Sequence, residues 1–402
     1  MYNSQLTYNS LRQDTSHLTD LKVVKKQKTD LYKQQFGQFF TPDELADFCI
    51  KLIKNNGNIL EPSCGDGAFY KIKKKNDVFI ELDKNVIKQK DVLNINFFDY
   101  SIKNKFSTVI GNPPFVDNSL FEIKHKTNIK VKANLYQYFI EKCFYHLKKD
   151  GEIIFIVPRE FLKLTSSKII NDLLYKNGTI THFYDFGDRK FFNGACPNIC
   201  VFRYEKDNFT YKTSTFKGEF NCILTNGIIY FTKLQNVTTL KKLFDVKVGA
   251  VSGADKYFQS KKGIDFVYSG TGKTGKLKKM LYNTSENLEQ YKDILIKRKI
   301  KKFNENDWWK WGRSVNFQND RERVYVNCRT RNKQPFFYSK CHNYDGSILA
   351  LFPKFKANIK EVIKKLNSIE WDELGFMTGG RFIFTQKSLE NAPISKELFN
   401  IE

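Results

Sequence analysis

The 402-residue sequence has no uninterrupted apolar run of about 18 residues, the length that crosses a bilayer, so no membrane partnership is expected. Its first residues lack the apolar stretch of a secretory signal, and a cytoplasmic protein is the expectation. The eight cysteines, at 49, 64, 143, 196, 200, 222, 328 and 341, form no C-x-x-C pair, which argues against a disulfide framework and reads as reduced thiols. Cys196-x-x-x-Cys200 has no second pair of ligands nearby, so no metal is expected. Proline is scarce at 9 residues, too few for a proline-rich linker class. Acidic residues are short as well: 43 Asp plus Glu against 67 Lys plus Arg leave a formal charge of +24, which points to a polyanionic partner. What is abundant is aromatic: with Phe at 37, Tyr at 20 and 41% apolar residues the chain has ample material for packed cores, and its length suggests two domains.

Charge and tryptophan are unevenly spread. Residues 241–402 hold 32 basic and 18 acidic side chains, the higher charge density of the two parts, together with Trp308, Trp309, Trp311 and Trp371. Before them, Thr41 as N-cap, Pro42 and Glu44 mark a helix start, with Leu45, Phe48, Cys49, Leu52 and Ile53 at helical spacing. Short apolar runs at Ile59-Leu60, 78–80, 108–110 and 153–157, bounded by Gly, Pro or Asn, read as buried parallel strands. Residues 136–147 read as an amphipathic helix ending in a basic turn and Gly151. Alternating strands and helices give α/β architecture, and the Phe- and Tyr-rich runs of 181–232 are expected to complete the sheet with antiparallel strands.

Two turns carry the chemistry. Glu61-Pro62-Ser63-Cys64-Gly65-Asp66-Gly67 leaves a strand for an expected helix, and Gly65 and Gly67 allow a ligand to approach the backbone closely. Glu61 suits a positively charged amino group, and Glu81, about 20 residues on, can accept hydrogen bonds from a pair of ribose hydroxyls. Asn112-Pro113-Pro114-Phe115 follows the next strand, at the same end of the sheet. Its prolines fix the backbone and remove two donors, leaving the Asn112 side chain and the Pro113 carbonyl to accept from a planar amine while Phe115 offers a stacking face.

Residues 36–42, 61–69, Glu81-Leu82-Asp83, 112–115, 134–142 and 151–158 stand in the order found in gamma-class N6-adenine DNA methyltransferases of restriction-modification systems, and the chain resembles that family over about residues 34–205. The resemblance implies a Rossmann-like class I methyltransferase domain with a mostly parallel twisted sheet at 34–240, an α+β target-recognition domain at 241–402 and an N-terminal arm at 1–33. It implies S-adenosylmethionine as cofactor, with Thr41 closing over its methionine end, Glu61 on its amino group, Ser63, Cys64, Gly65 and Gly67 along it, and Glu81 on its ribose. The family's Asp-Phe pair at the cofactor's adenine reads Asn96-Phe97 here, an acceptor without charge, with Asp99 as an alternative of poorer offset. Lys190-Phe191-Phe192-Asn193-Gly194 resembles the family's last catalytic motif, which pairs Phe192 with Phe115 across a flipped base.

The same resemblance implies double-stranded DNA as partner, a restriction endonuclease acting on the same site, and a monomer; an orphan or viral equivalent is also compatible. Lys256, Trp311, Arg313, Arg329 and Arg331 are the expected DNA contacts, because cations and aromatics interleave there. Residues 269–274 imitate a P-loop, but Val267 stands where its first glycine is needed. Lys276, Lys278 and Lys279 extend that loop as candidate phosphate contacts. Two other functions share these motifs: an N-methyltransferase acting on RNA adenine or on protein glutamine, and a non-catalytic DNA-binding subunit with a methyltransferase fold.

Overall fold

The computed structural model describes residues 39–117, 123, 126–130, 132–192, 198–313, 317 and 320–399. The expected arm at 1–33, the Asn193-Gly194 end of the last motif and Cys196 lie outside them. The chain divides into two compact units, Met1–Phe161 with Leu173–Thr210, and Leu162–Asp172 with Tyr211–Glu402. By packing, the first unit ends at Thr210. The physical reason lies in the second unit, where Ile228 and Tyr230 pack in one core with Leu240, Phe244 and Leu351.

The first unit is built on seven strands, β1 (Ile59–Glu61), β2 (Val78–Glu81), β3 (Leu93–Asn94), β4 (Phe106–Gly111), β5 (Leu147–Pro158), β6 (Gly178–Asp185) and β7 (Ile199–Lys206), in the order β6-β7-β5-β4-β1-β2-β3. The pairs from β5 to β3 are parallel, while β7 runs antiparallel to both β5 and β6. Continuous apolar runs are what a sheet buried on both faces demands, and Ile59, Leu60, Phe79, Ile80, Val109 and Ile110 are all buried. Because β1, β2 and β4 are parallel neighbours, their following turns meet at one end of the sheet.

Helix α1 (Asp43–Ile50) begins one residue later than its sequence suggests: Pro42 is the N-cap and no side chain caps it. Thr41 therefore does not spend its hydroxyl on the helix. Helix α2 (Leu135–His146) is buried on nearly every side, including Gln137, Glu141 and Lys142, so it is a core helix and not an amphipathic one. β5 starts directly at Leu147, which leaves no basic capping turn. The Gly turn likewise leads only into a 3-10 turn at Tyr70–Ile72.

A buried carboxylate joins three of these segments. Glu152 on β5 accepts from the backbone N–H of Asn55 (3.0 Å), from Thr108 Oγ1 on β4 (2.8 Å) and from Arg203 on β7 (2.7 Å to Nε). Lys54 N–H also donates to it, at 3.1 Å.

The second unit carries the hairpin strands Lys212–Thr215, Gly218–Thr225 and Ile228–Thr232, and an antiparallel sheet ordered Phe244–Val248, Ile348–Pro353, Val324–Asn327 and Phe336–Phe337. Helix α3 (Ile359–Asn367) turns Ile359, Val362 and Leu366 inward, the i, i+3, i+7 stripe that its sequence repeats. Among the described residues, no helix is long and apolar enough to cross a membrane.

Candidate functional site

Where the turns after β1, β2 and β4 meet, Ser63, Gly65, Glu81, Asn96, Phe97, Asn112 and Pro114 line one cleft of about 690 Å³, its open mouth included. The remaining walls are Phe39, Phe40, Pro62, Leu82, Phe98, Leu135 and Phe139. The two sequence-predicted turns are thus neighbours: a Cβ on Gly111 would stand 3.5 Å from the Pro62 ring.

The Gly turn is fixed from both sides. Gly65 and Gly67 have φ of +54° and +94°, values that L side chains resist. Cys64 N–H donates to the Ile80 carbonyl of β2 (2.9 Å) and its thiol is buried, so Cys64 holds the turn from beneath and does not line the cleft. Gly67 faces the Gln89 side chain. Glu81 spans the gap, one carboxylate oxygen accepting from Gly65 N–H (2.8 Å) and the other from Asp83 N–H (2.9 Å). Burial raises the Glu81 carboxyl above its usual range, and these backbone donors partly offset it.

Glu61 ends β1 just before the turn, is 1% exposed and is not among the cleft-lining residues, and one of its oxygens has no hydrogen-bond partner among the described residues. Burial first, then the charges of Glu81 and Asp66, push its carboxyl well above the ordinary carboxylate range. Ser63 Oγ is buried and unpartnered in the same sense.

On the far wall, Asn96 Oδ1 accepts from Phe98 N–H (2.9 Å) and so caps the turn that carries Phe97. Phe97 is stacked on Phe139, with centroids 5.0 Å apart. Sequence reasoning missed Lys142: this buried ammonium donates to the Phe97 carbonyl (2.6 Å) and lies 4.8 Å from the Phe97 ring, and burial lowers its pKa to about 8. The signal was the charged pair Glu141-Lys142 within the otherwise apolar run 138–144.

Asn112 uses its amide nitrogen on the segment before α1, donating to the Phe39 carbonyl (2.9 Å) and to Thr41 Oγ1 (3.2 Å). Its Oδ1 is buried and has no partner among the described residues. Pro113 is buried beneath it. Phe115 packs edge-on to Tyr136 (6.1 Å), and Phe39 touches both members of the expected ring pair, 6.1 Å from Phe115 and 5.5 Å from Phe192. Phe191 is engaged elsewhere, edge-on to Phe186 and under Arg189, which leaves Phe192 as the ring facing this region.

The second unit corrects one expected DNA contact. Trp311 is 2% exposed, stacks on Phe266 (5.1 Å) and donates its indole N–H to the Leu281 carbonyl (2.9 Å), so it is a core residue. The large apolar indole is stabilised more by burial with its one donor paired than by exposure. Trp308 and Trp371 are buried too. Lys278, taken as a phosphate contact, is held between Asp255 and Asp345 at 3.0 Å each. Lys256, Arg313, Arg329 and Arg331 are exposed. The P-loop imitation folds as a single helical turn, Thr271–Thr274.

Residues 12–192 match the family described as Eco57I restriction-modification methylase. The chain is 26% identical to the type II methyltransferase M.HindII of Haemophilus influenzae, with 90% of each chain covered. It is 31% identical to the type II methyltransferase M.HincII of Haemophilus influenzae over 43% of this chain and 38% of that one. Among solved structures, the type IIL restriction-modification enzyme MmeI, determined in complex with DNA, shares the fold at a TM-score of 0.53 and 12% identity, covering 93% of this chain and 67% of that one.

Proposed function

We propose, from the match of residues 12–192 to the family described as Eco57I restriction-modification methylase, that the chain is a site-specific DNA methyltransferase that moves a methyl group from S-adenosylmethionine to the N6 amine of an adenine flipped out of duplex DNA. The observation that carries this reading is the buried Asn112 Oδ1, without a partner among the described residues and set on a rigid Pro-Pro turn at the cleft of the Gly turn.

The residues present fit the cofactor. Glu61 is a buried carboxyl lacking a partner on one oxygen among the described residues, and a cationic amino group beside it would favour the charged form that burial disfavours. Ser63 and the Gly65 backbone would run along the methionine portion. Each oxygen of Glu81 keeps a lone pair for a ribose hydroxyl beyond the backbone bond it accepts. Asn96 and Phe97 form the wall for the cofactor's base. When bound, the cofactor supplies a methyl group on a sulfonium sulfur, with S-adenosylhomocysteine as the leaving product.

The rest is done by the chain. An adenine within a duplex is out of reach, and extracting it costs a few kcal/mol that stacking and hydrogen bonding in the pocket offset. Phe115 and Phe192 supply aromatic faces. Asn112 Oδ1 and the Pro113 carbonyl accept the two amine hydrogens, which holds the nitrogen with its lone pair available. Catalysis on this plan is mainly positioning. The second unit supplies target recognition, with Lys256, Arg313, Arg329 and Arg331 as the exposed cations for DNA. Relatives named as type II methyltransferases support a restriction endonuclease of the same specificity as partner, and the proposed setting is a cytoplasmic monomer.

Expression in a host lacking DNA methylation, followed by sequencing that detects modified bases, is expected to show N6-methyladenine at one recurring motif. Modified RNA with unmodified DNA would overturn the reading. Asn112→Ala is expected to lose at least about 10²-fold in methyl transfer, the scale of removing one group that holds a reacting centre, while cofactor affinity measured by calorimetry persists. Undiminished transfer in that variant would sink the mechanism.

A further inference from the structure

We propose that Thr41, together with the Phe39 carbonyl, is the positioning group that fixes the Asn112 amide with its oxygen toward the target amine. This rests on the methyltransferase reading above and adds to it a residue that acts through Asn112.

The two ends of an asparagine amide have nearly the same shape and opposite hydrogen-bond character: nitrogen carries two donors, oxygen two acceptor sites. A reversed amide in the Asn-Pro-Pro-Phe turn would present N–H to the hydrogens of the substrate amine, replacing attraction with repulsion. The backbone turn alone does not choose between the two orientations. The choice is made from a segment about seventy residues earlier in the chain. Phe39 offers a carbonyl oxygen 2.9 Å from Asn112 Nδ2, and a carbonyl has no hydrogen to give, so only the nitrogen end satisfies it. Thr41 Oγ1 takes the second N–H at 3.2 Å. With both donors occupied, Oδ1 remains as the buried acceptor without a partner among the described residues.

Thr41 is available for this because the helix that follows does not use it: α1 is capped at Pro42 without any side-chain bond. The same short segment also places the Phe39 ring against Phe115 and Phe192. Amide orientation and ring packing thus depend on one stretch of backbone. A residue that touched only the methionine end of the cofactor would set cofactor affinity. A residue that orients Asn112 sets the rate of transfer and leaves cofactor affinity alone.

The test uses the full chain, tritiated S-adenosylmethionine and DNA from a methylation-deficient host. Thr41→Val keeps the shape and removes the acceptor; its single-turnover methylation rate is expected to fall about 10- to 100-fold, the scale of a misplaced catalytic group. Its affinity for S-adenosylmethionine by calorimetry, and its melting temperature, should match the wild type. Thr41→Ser restores the acceptor and should recover most of the rate. A Val variant at the wild-type rate overturns the proposal. So do Val and Ser variants that are equally slow, or a Val variant whose cofactor affinity falls in step with its rate. A wild-type chain that transfers no methyl group to any DNA defeats the methyltransferase reading itself, and the positioning proposal with it, a result distinct from an active wild type with an undiminished Val variant.

Discussion

In the first unit, one oxygen of the buried Glu61 carboxyl meets no hydrogen-bond donor among the described residues, whereas in the second unit the buried guanidinium groups of Arg298 and Arg323 are ringed by backbone carbonyls. Arg298 donates to the carbonyls of Leu295 (2.7 Å), Lys310 (2.8 Å), Ser252 and Trp308, and Arg323 to those of Arg321 (2.7 Å) and Phe317. Leaving a buried polar atom unpaired costs about 1–3 kcal/mol, so evolution tolerates it chiefly where something else completes the set. A saturated buried cation is architecture, and on the proposed reading the unsaturated buried acid at the end of β1 belongs to the cofactor site. On the proposed reading, the second unit's partner is sought on its exposed cations, Lys256, Arg313, Arg329 and Arg331.

This contrast can be broken most forcefully at Trp311. If it is core, Trp311→Ala should cost about 3–5 kcal/mol of stability, as large-to-small core substitutions do, read as a lowered denaturation midpoint; a folded variant of unchanged stability that merely lost DNA would return Trp311 to the surface list. The next effect belongs to Glu61. Its carboxyl is raised in the free protein, so it holds a proton above the ordinary carboxylate range; a cationic ligand lowers that pKa and the proton leaves on binding. Affinity for S-adenosylmethionine should consequently rise with pH from the ordinary carboxylate range up to the raised value of the free protein. Glu61→Gln should flatten that rise and weaken binding by about 10- to 100-fold, the range of one hydrogen bond to a charged group. Calorimetry across pH tests both, and a pH-independent wild type would contradict the assignment. The smallest effects are expected at Arg329 and Arg331. Replacing either by Ala should leave the melting temperature unchanged and lessen the dependence of DNA affinity on salt by about one unit of logarithmic slope; an unaltered salt slope removes that residue from the interface.

The part of this molecule legible in its sequence is the part governed by local rules. Strands β1, β2, β4 and β5 stand at the short apolar runs 59–60, 78–80, 108–110 and 153–157, and the parallel order that brings Gly65 and Asn112 to one cleft follows from that alternation. What escaped depends on distant partners. Thr41 has the local signature of an N-cap, and only the fold reveals that Asn112 claims its oxygen instead. Trp311 sits among cations in the sequence, yet Phe266 and the Leu281 carbonyl, thirty and more residues away, decide that it is buried. Lys142 looks like a solvated break in an apolar helix until the Phe97 carbonyl is found above it.

Glu152 bears on how the cleft holds its shape. Its carboxylate collects the amides of Lys54 and Asn55, just beyond α1, together with side chains of β4 and β7. The stretch from Thr41 to Asn55 is thus tied at its front to Asn112 and at its back to the middle of the sheet. A surface loop would open by local fluctuation at little cost in free energy, but this one is joined to the cooperative unit formed by β4, β5 and β7. The segment that carries Phe39 and Thr41 is expected to share the stability of the sheet, so that in hydrogen exchange its amides should open with those of the core and not with those of a flexible lid.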